Sequence, residues 1–327
     1  FLTMLVIHPQ NIYKTSDNDN IAFVMDHQPV LFDCEILGDQ ETNSVYQDQS
    51  YNNIEQIIKD HNIDVEHVYM EDYLHWTDFP YPNTCVPEFF LQSCKLFLEH
   101  AGTAEYSDKQ ACFIMMYKRR ENRLLVSSWF NQNKHINFDY TQGWEIEDAD
   151  FRKVKEYLRF TGYSFTGFLN KKFIRNKHKN DSNEDTRNVS NWNNVFKERF
   201  ASSTFSIITE PTFWEKGCMI TEKYLMTVYG CCFPIFCGGY GLADKLTTVG
   251  LDVFNDVIDH SYQYEIHPTL RVIKALELNR KILEDHSVKK LDYMDRHLNN
   301  LCLLRENLKS FKSLFSDSVE RLSPASE

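Results

Sequence analysis

Residues 205–239 read FSIITEPTFWEKGCMITEKYLMTVYGCCFPIFCGG. FSIIT (205–209) is a short apolar, β-rich run, the pattern of a buried strand, and it ends on acidic Glu210. PTFWEKGC (211–218) carries a breaker and reads as a loop. Met219 to Lys223 open a helix that runs to about Tyr229. CCFPIFC (231–237) is a second buried strand, closed by Gly238, Gly239 and Gly241. Strand, helix and strand in alternation predict an α/β protein with parallel sheets and helical crossovers. Glu222 and Lys223 then stand at a helix start just outside the carboxyl end of a strand. In open α/β sheets that crevice binds ligands, and a helix N-terminus favours phosphate through its free N–H groups and its dipole.

The alternation continues on both sides. LTMLVI (2–7), IAFVMD (21–26), VLFD (30–33) and DVEHVYM (64–70) read as strands. NNIEQIIKDH (52–61) has isoleucines at helical spacing. Residues 72–86, with Pro80 and Pro82, read as an irregular loop. PEFFLQSCKLFLEHAG (87–102) is a helix with Phe90, Leu91, Cys94, Phe97 and Leu98 on its apolar face and Gly102 as its cap. The polar run 103–110 marks a linker, which places a first domain at 1–104 and a second at 111–285. In the second, ACFIMMY (111–117) and INFDY (136–140) are strands, KRRENR (118–123) is a basic turn, and LLVSSWF (124–130), 148–160 and 191–203 are helical. Residues 175–190 are very polar and read as a loop. Residues 267–287 form one amphipathic helix. Leu291, Met294, Leu298, Leu301, Leu304 and Leu308, at three-to-four spacing, predict a C-terminal helical segment (286–327) that packs back across both units.

Composition narrows the function. The chain has 327 residues and a net charge of −12, which does not invite nucleic acid or an anionic membrane. Nine cysteines are scattered without a C-x-x-C pair and read as buried free thiols of a reducing compartment. No run reaches the roughly 20 apolar residues of a membrane span. The opening FLTMLVIHP lacks the basic region and cleavage site of a signal peptide. These features predict a cytoplasmic protein, and a start without Met reads as a piece of a longer chain. No phosphate loop, nucleophile elbow or dinucleotide glycine fingerprint is present. Asp-x-Asp at 17–19 and 148–150 lies in polar stretches, so no metal ligands are predicted.

Two clusters carry the chemistry. Lys118 to Arg123 follow a strand and lead into a helix, which suits an anion, with arginine able to fork onto a diphosphate. The same run also suits a solvated charged turn. Glu222 beside Lys223 can accept ribose hydroxyls and neutralise a phosphate, or can serve a helix start as an ordinary acid and surface lysine.

Residues Phe205 to Gly239 resemble the C-terminal signature of the α1,3-fucosyltransferases. Phe205, Glu210, Ile220-Thr221-Glu222-Lys223, Gly230, Pro234-Ile235 and Gly238 stand in the places of that family's pattern. Pro211-Thr212 stands where the family has Asn-Ser. LTTVGLDVFNDVIDHSY (246–262) resembles the version found in viral and marine bacterial relatives. The resemblance implies a GT-B glycosyltransferase, with two Rossmann-like domains facing each other across a cleft and a nucleotide-diphosphate sugar, GDP-sugar favoured, held by the second. It implies Glu222 on the donor ribose and Lys223 on the diphosphate, with Arg123 as the phosphate-binding arginine. Lys118, Glu210, Thr221 and Gly238 complete the expected donor site. The family's acceptor-activating carboxylate falls nearest His27, in Phe23-Val24-Met25-Asp26-His27-Gln28-Pro29, and a neutral histidine can act as general base. Asp26 and Asp33 are rivals for that role.

The expected function is therefore inverting, metal-independent transfer of a sugar to a glycan hydroxyl, with no cofactor beyond the donor. Two other readings stay open. One is a glycosyltransferase acting on modified bases of viral DNA, for which the Lys/Arg-bearing segment 171–187 supplies contacts. The other is a non-catalytic carbohydrate-binding protein of the same fold.

Overall fold

A computed structural model describes residues 4–7, 30–31, 67–71, 73–76, 83–86, 88–169, 189–210 and 217–306. Asp26, His27 and Asp33 lie outside the described residues, as do the helix expected at 52–61 and the polar segment 171–187.

The chain is α/β and carries two separate four-stranded parallel sheets. The first contains β1 (Met4–Ile7), β2 (Val30–Leu31), β3 (His67–Glu71) and β5 (Asn83–Val86), in the order β2-β1-β3-β5. The second contains β6 (Gln110–Met116), β7 (Phe138–Gln142), β8 (Ser203–Ile208) and β10 (Phe233–Phe236), in the order β7-β6-β8-β10. Counted along the chain, both orders are 2-1-3-4. Two more strands, β4 (Tyr73–Trp76) and β9 (Gly217–Met219), pair antiparallel with each other.

These two strands and β5 correct the sequence reading, which took 72–86 and 211–218 as loops. Pro80, Pro82 and Pro211 dominate the local pattern, whereas β4 and β9, among the described residues, pair with each other across the two halves of the chain. Met219 accordingly ends a strand, and the helix expected to open there starts at Glu222.

The second sheet is doubly wound, and the period of two in its strands sorts its two cores. Ile114, Met116, Phe205, Ile207, Phe233 and Ile235 face one cluster. Phe113, Met115, Ile208 and Phe236 face the other. The first cluster is closed by α2 (Glu121–Gln132), α3 (Asp148–Leu158) and α7 (Pro268–Leu278). The second is closed by α1 (Glu88–His100), a π-helical turn (Trp192–Phe196) running into α4 (Lys197–Ala201), α5 (Glu222–Tyr229) and α6 (Leu242–Thr248). Phe90, Cys94 and Phe97 of α1 are buried in that cluster. Phe97 meets the Tyr229 ring edge-on at 5.3 Å. The helix expected to close the first unit thus packs on the second sheet. Gly102 does not cap it by a left-handed turn; its N–H donates to Asn193 Oδ1.

The helix expected over 267–287 is broken. It ends at Leu278 and resumes as α8 (Arg280–Asp285), because the Asn279 side chain donates to Ala275 O and Asp259 O and its Oδ1 accepts from the Asp259 N–H. The final helix, α9 (Met294–Glu306), sends Leu301 and Leu304 into the second core, while Leu298 stays exposed. Arg296 on α9 forks onto Asp252 and Asp256, and Asn300 bonds both backbone groups of Asp252.

At the amino end of the second sheet Lys290 is fully buried. Its ammonium lies 2.6–3.1 Å from four carbonyl oxygens, those of Phe200, Ala201, Ser203 and Gly230. Ala201 and Gly230 close α4 and α5, and a cation is favoured at a helix C-terminus. Gly230 is required there by space, since a Cβ would come within 2.5 Å of Phe200 Cβ. Five of the described cysteines are buried free thiols and Cys302 is exposed. No helix among the described residues is long and apolar enough to cross a membrane.

Two stability predictions follow from this packing. Replacing Lys290 by Ala strips the donor from buried carbonyls, and should lower the unfolding free energy by about 3 kcal/mol or more in urea titrations. His297 sits between the Phe233 and Phe254 rings, at 4.9 and 4.4 Å, with its Nε2 buried and unbonded. Burial, reinforced by Lys290 and Arg296, lowers its pKa from 6.5 to about 3. A depressed histidine is neutral when folded and protonates on unfolding. Its contribution is therefore lost as pH falls from about 6.5 toward 3, at up to about 1.4 kcal/mol per pH unit. His297→Phe should flatten that acid limb of the stability curve.

Candidate functional site

The strand order places the switch point of the second sheet between β6 and β8, whose outgoing connections lead to opposite faces. The crevice outside their carboxyl ends is the expected ligand position. Three helix starts meet there. Asn122, in the first turn of α2, donates through Nδ2 to Glu210 O and to Cys237 O, both at 2.8 Å. Its side chain therefore bridges the segments leaving β8 and β10. Arg123 beside it joins the ends of β6 and β8. Nη1 donates to Lys118 O at 2.6 Å, Nε to Thr209 Oγ1 at 3.2 Å, and Nη2 to Thr209 O at 3.3 Å. The start of α7 is drawn in by Arg271, whose Nε donates to Gly238 O and Nη1 to Glu265 O.

Around this frame lies the charged cluster of α5. Glu210 is wholly buried. Its Oε1 accepts from the Thr221 N–H at 3.0 Å and its Oε2 from the Thr221 hydroxyl at 2.6 Å. Thr221 is the N-cap of α5, and with its proton committed to Glu210 its Oγ1 accepts from Lys223 Nζ at 3.0 Å and from the Lys223 N–H. Lys223 Nζ stands 3.6 Å from Glu210 Oε2 and 3.4 Å from Glu222 Oε1. Burial raises the Glu210 carboxyl above its ordinary range, against the opposing pull of Lys223 and of the Thr221 donors. Burial, with Arg120 second, lowers the Arg123 guanidinium to about 9, and Glu222 and Glu210 oppose that shift. Arg123 is still a cation at neutral pH.

Glu210, Thr221, Glu222, Lys223 and Arg123 are thus gathered at one end of one sheet. The basic turn is shorter than the sequence pattern suggested, because α2 begins at Glu121 and carries Arg123 inside. Arg123 is 3 % exposed, and the bonds described spend its guanidinium on holding strand ends. Arg119 bonds Asp150 and pairs with Glu147, anchoring the capping box that starts α3. Lys118 is exposed, and the contact it gives the cluster is its carbonyl. Gly238 likewise contributes a carbonyl, to Arg271.

Asn122 and Arg271 are organising residues that the sequence reading passed over. Asn122 lay unremarked within the basic turn. Arg271 carried a usable signal, since it falls in the apolar phase of α7 with Val272, Ala275 and Leu276, where a buried arginine must find acceptors. Nearby, His260 is also buried. Its Nε2 donates to Val253 O, so its Nδ1 accepts from the Tyr262 hydroxyl, which in turn receives the Phe236 N–H. Burial lowers the pKa of this histidine and keeps it neutral. Among the described residues no cluster of His, Cys, Asp and Glu is placed to hold a metal ion.

The arrangement offers an ammonium and the positive end of α5 beside a buried carboxylate, a combination suited to an anion carrying hydroxyl groups. No family model, curated protein or solved structure matches the chain.

Thr221→Val keeps the shape of the cap but leaves Glu210 Oε2 without its hydroxyl donor. It should cost about 1–3 kcal/mol in denaturant unfolding, whereas Thr221→Ser should cost less than about 1 kcal/mol.

Proposed function

We propose that the chain is a glycosyltransferase that inverts the transferred sugar and takes a nucleotide-diphosphate sugar as donor, with a GDP-sugar favoured and fucose as one candidate sugar. The reading rests on the Glu210–Thr221–Lys223 cluster, which lies at a helix start, at the switch point of a doubly wound parallel sheet. Two parallel sheets of the same strand order are compatible with a GT-B arrangement, with the donor on the second and the acceptor on the first. The resemblance of residues 205–239 to the α1,3-fucosyltransferases gives the same assignment.

In this mechanism the acceptor hydroxyl oxygen attacks the anomeric carbon as the bond from that carbon to the diphosphate oxygen breaks. The hydroxyl proton passes to a base of the first half, for which His27, Asp26 and Asp33 are the candidates. Charge developing on the leaving diphosphate is met by Lys223 Nζ and by the positive end of the α5 dipole. Glu222, partly exposed next to Lys223, receives the ribose hydroxyls. Glu210 is a positioning residue: through Thr221 it fixes the start of α5 and the direction of the Lys223 ammonium. Arg123 serves the same end by holding β6 and β8 together, so its charge acts on the phosphates at a distance.

Calorimetry with GDP-, UDP- and TDP-sugars tests the proposal. One of them should bind, and Lys223→Ala should weaken that binding by at least about tenfold, the value of one charge-assisted hydrogen bond. Unchanged nucleotide affinity in the variant would remove Lys223 from the donor site.

A further inference from the structure

The two sheets share more than their strand order. In the first, β4 falls between the third and fourth strands in chain order; in the second, β9 does. These two equivalent insertions pair antiparallel with each other, the pairing by which two copies of one element meet about a two-fold axis. Tyr73 pairs with Met219, His75 with Cys218 and Trp76 with Gly217. The ribbon is therefore a contact between two topologically equivalent halves.

Its position gives it a consequence. Met219, the last residue of β9, is separated by Ile220 alone from Thr221, the cap whose N–H and hydroxyl hold Glu210. On the other strand, β4 begins at Tyr73, one intervening residue after Glu71, the carboxyl end of the first sheet's third strand. Through β9 and Ile220, β4 is thus connected to the backbone N–H that bonds Glu210 and to the start of α5. The α6 helix also packs against β4, so the ribbon is held from the second half.

We propose that the β4–β9 ribbon couples the first half of the chain to the α5 anion site, so that ribbon pairing and nucleoside diphosphate binding strengthen each other. The proposal rests on the donor reading of that site. By linkage the coupling is reciprocal: what the ribbon does for affinity, the ligand does for the ribbon.

The full chain with GDP and, in parallel, UDP and TDP as probes provides the test. His75→Cys sets a second cysteine at the position paired with Cys218, next to the register irregularity between Tyr73 and His75. Under diamide it should cross-link, as read by peptide mapping, while the same variant carrying Cys218→Ser should not. The oxidised form should bind the diphosphate at least as tightly as wild type. Trp76→Pro, which disfavours strand pairing at that position, should weaken binding by about fivefold or more. In wild-type protein the ligand should slow hydrogen exchange at residues 73–76, a readout that survives if the proline variant fails to fold. Absence of the 75–218 cross-link, or ligand binding that leaves exchange at 73–76 unchanged, overturns the coupling and leaves the donor reading standing. Wild-type protein that binds none of GDP, UDP and TDP overturns both.

Discussion

Parallel strands that end side by side inside a protein leave carbonyl oxygens with neither a next strand nor water to receive. At the carboxyl end of the second sheet this concerns Lys118, Thr209, Glu210, Cys237 and Gly238, and three side chains answer it. Asn122 takes the carbonyls of Glu210 and Cys237, Arg123 those of Lys118 and Thr209, and Arg271 that of Gly238. Each comes from the first turn of a helix, α2 or α7, so satisfying the strand ends also fixes where those helices begin. The charged cluster at the start of α5 is built on that frame. Glu210 can be buried because its position is set by Asn122 and its charge is met by Thr221 and Lys223.

The opposite end of the same sheet solves the same problem with one side chain. Lys290 reaches in from the C-terminal segment and receives four carbonyls at the ends of α4 and α5 and the start of β8. Residues distant in the chain thus close both ends of the sheet, and removing either set would expose backbone that hydrophobic packing cannot compensate. The two ends differ in what they leave available. The amino end encloses its cation completely. The carboxyl end keeps Glu222 partly exposed beside the buried Lys223, which is why chemistry is assigned there.

Arginine illustrates how charge in a sequence misleads. Lys118 to Arg123 read as an anion-binding turn because basic residues stood between a strand and a helix. In the folded chain Arg119 is committed to Glu147 and Asp150, and Arg123 to the strand ends. A guanidinium has five donors in a fixed fork, and buried carbonyls and carboxylates compete for it as effectively as a phosphate does. The pattern that announces a binding arginine also announces a structural one, and local spacing does not separate them.

What the sequence determined by itself is what period and punctuation encode. The α/β class, the buried strands at 111–117, 205–209 and 231–237, and a helix between the last two carrying Glu222-Lys223 near its start, though read as opening early at Met219, were legible, because apolar runs, breakers and caps act over a few residues. The placement of Glu210 next to that start followed from the strand–helix order. Tertiary structure alone decided the rest. The β4 and β9 strands exist because each supplies the other's hydrogen bonds, and neither carries an apolar alternation strong enough to announce itself among prolines. The packing of α1 on the second sheet, the double duty of Asn122 and the burial of Lys290 depend on contacts between segments far apart in the chain. Their physical cause is the demand that every buried polar group find a partner, and which partner lies within reach is known only once the chain has folded.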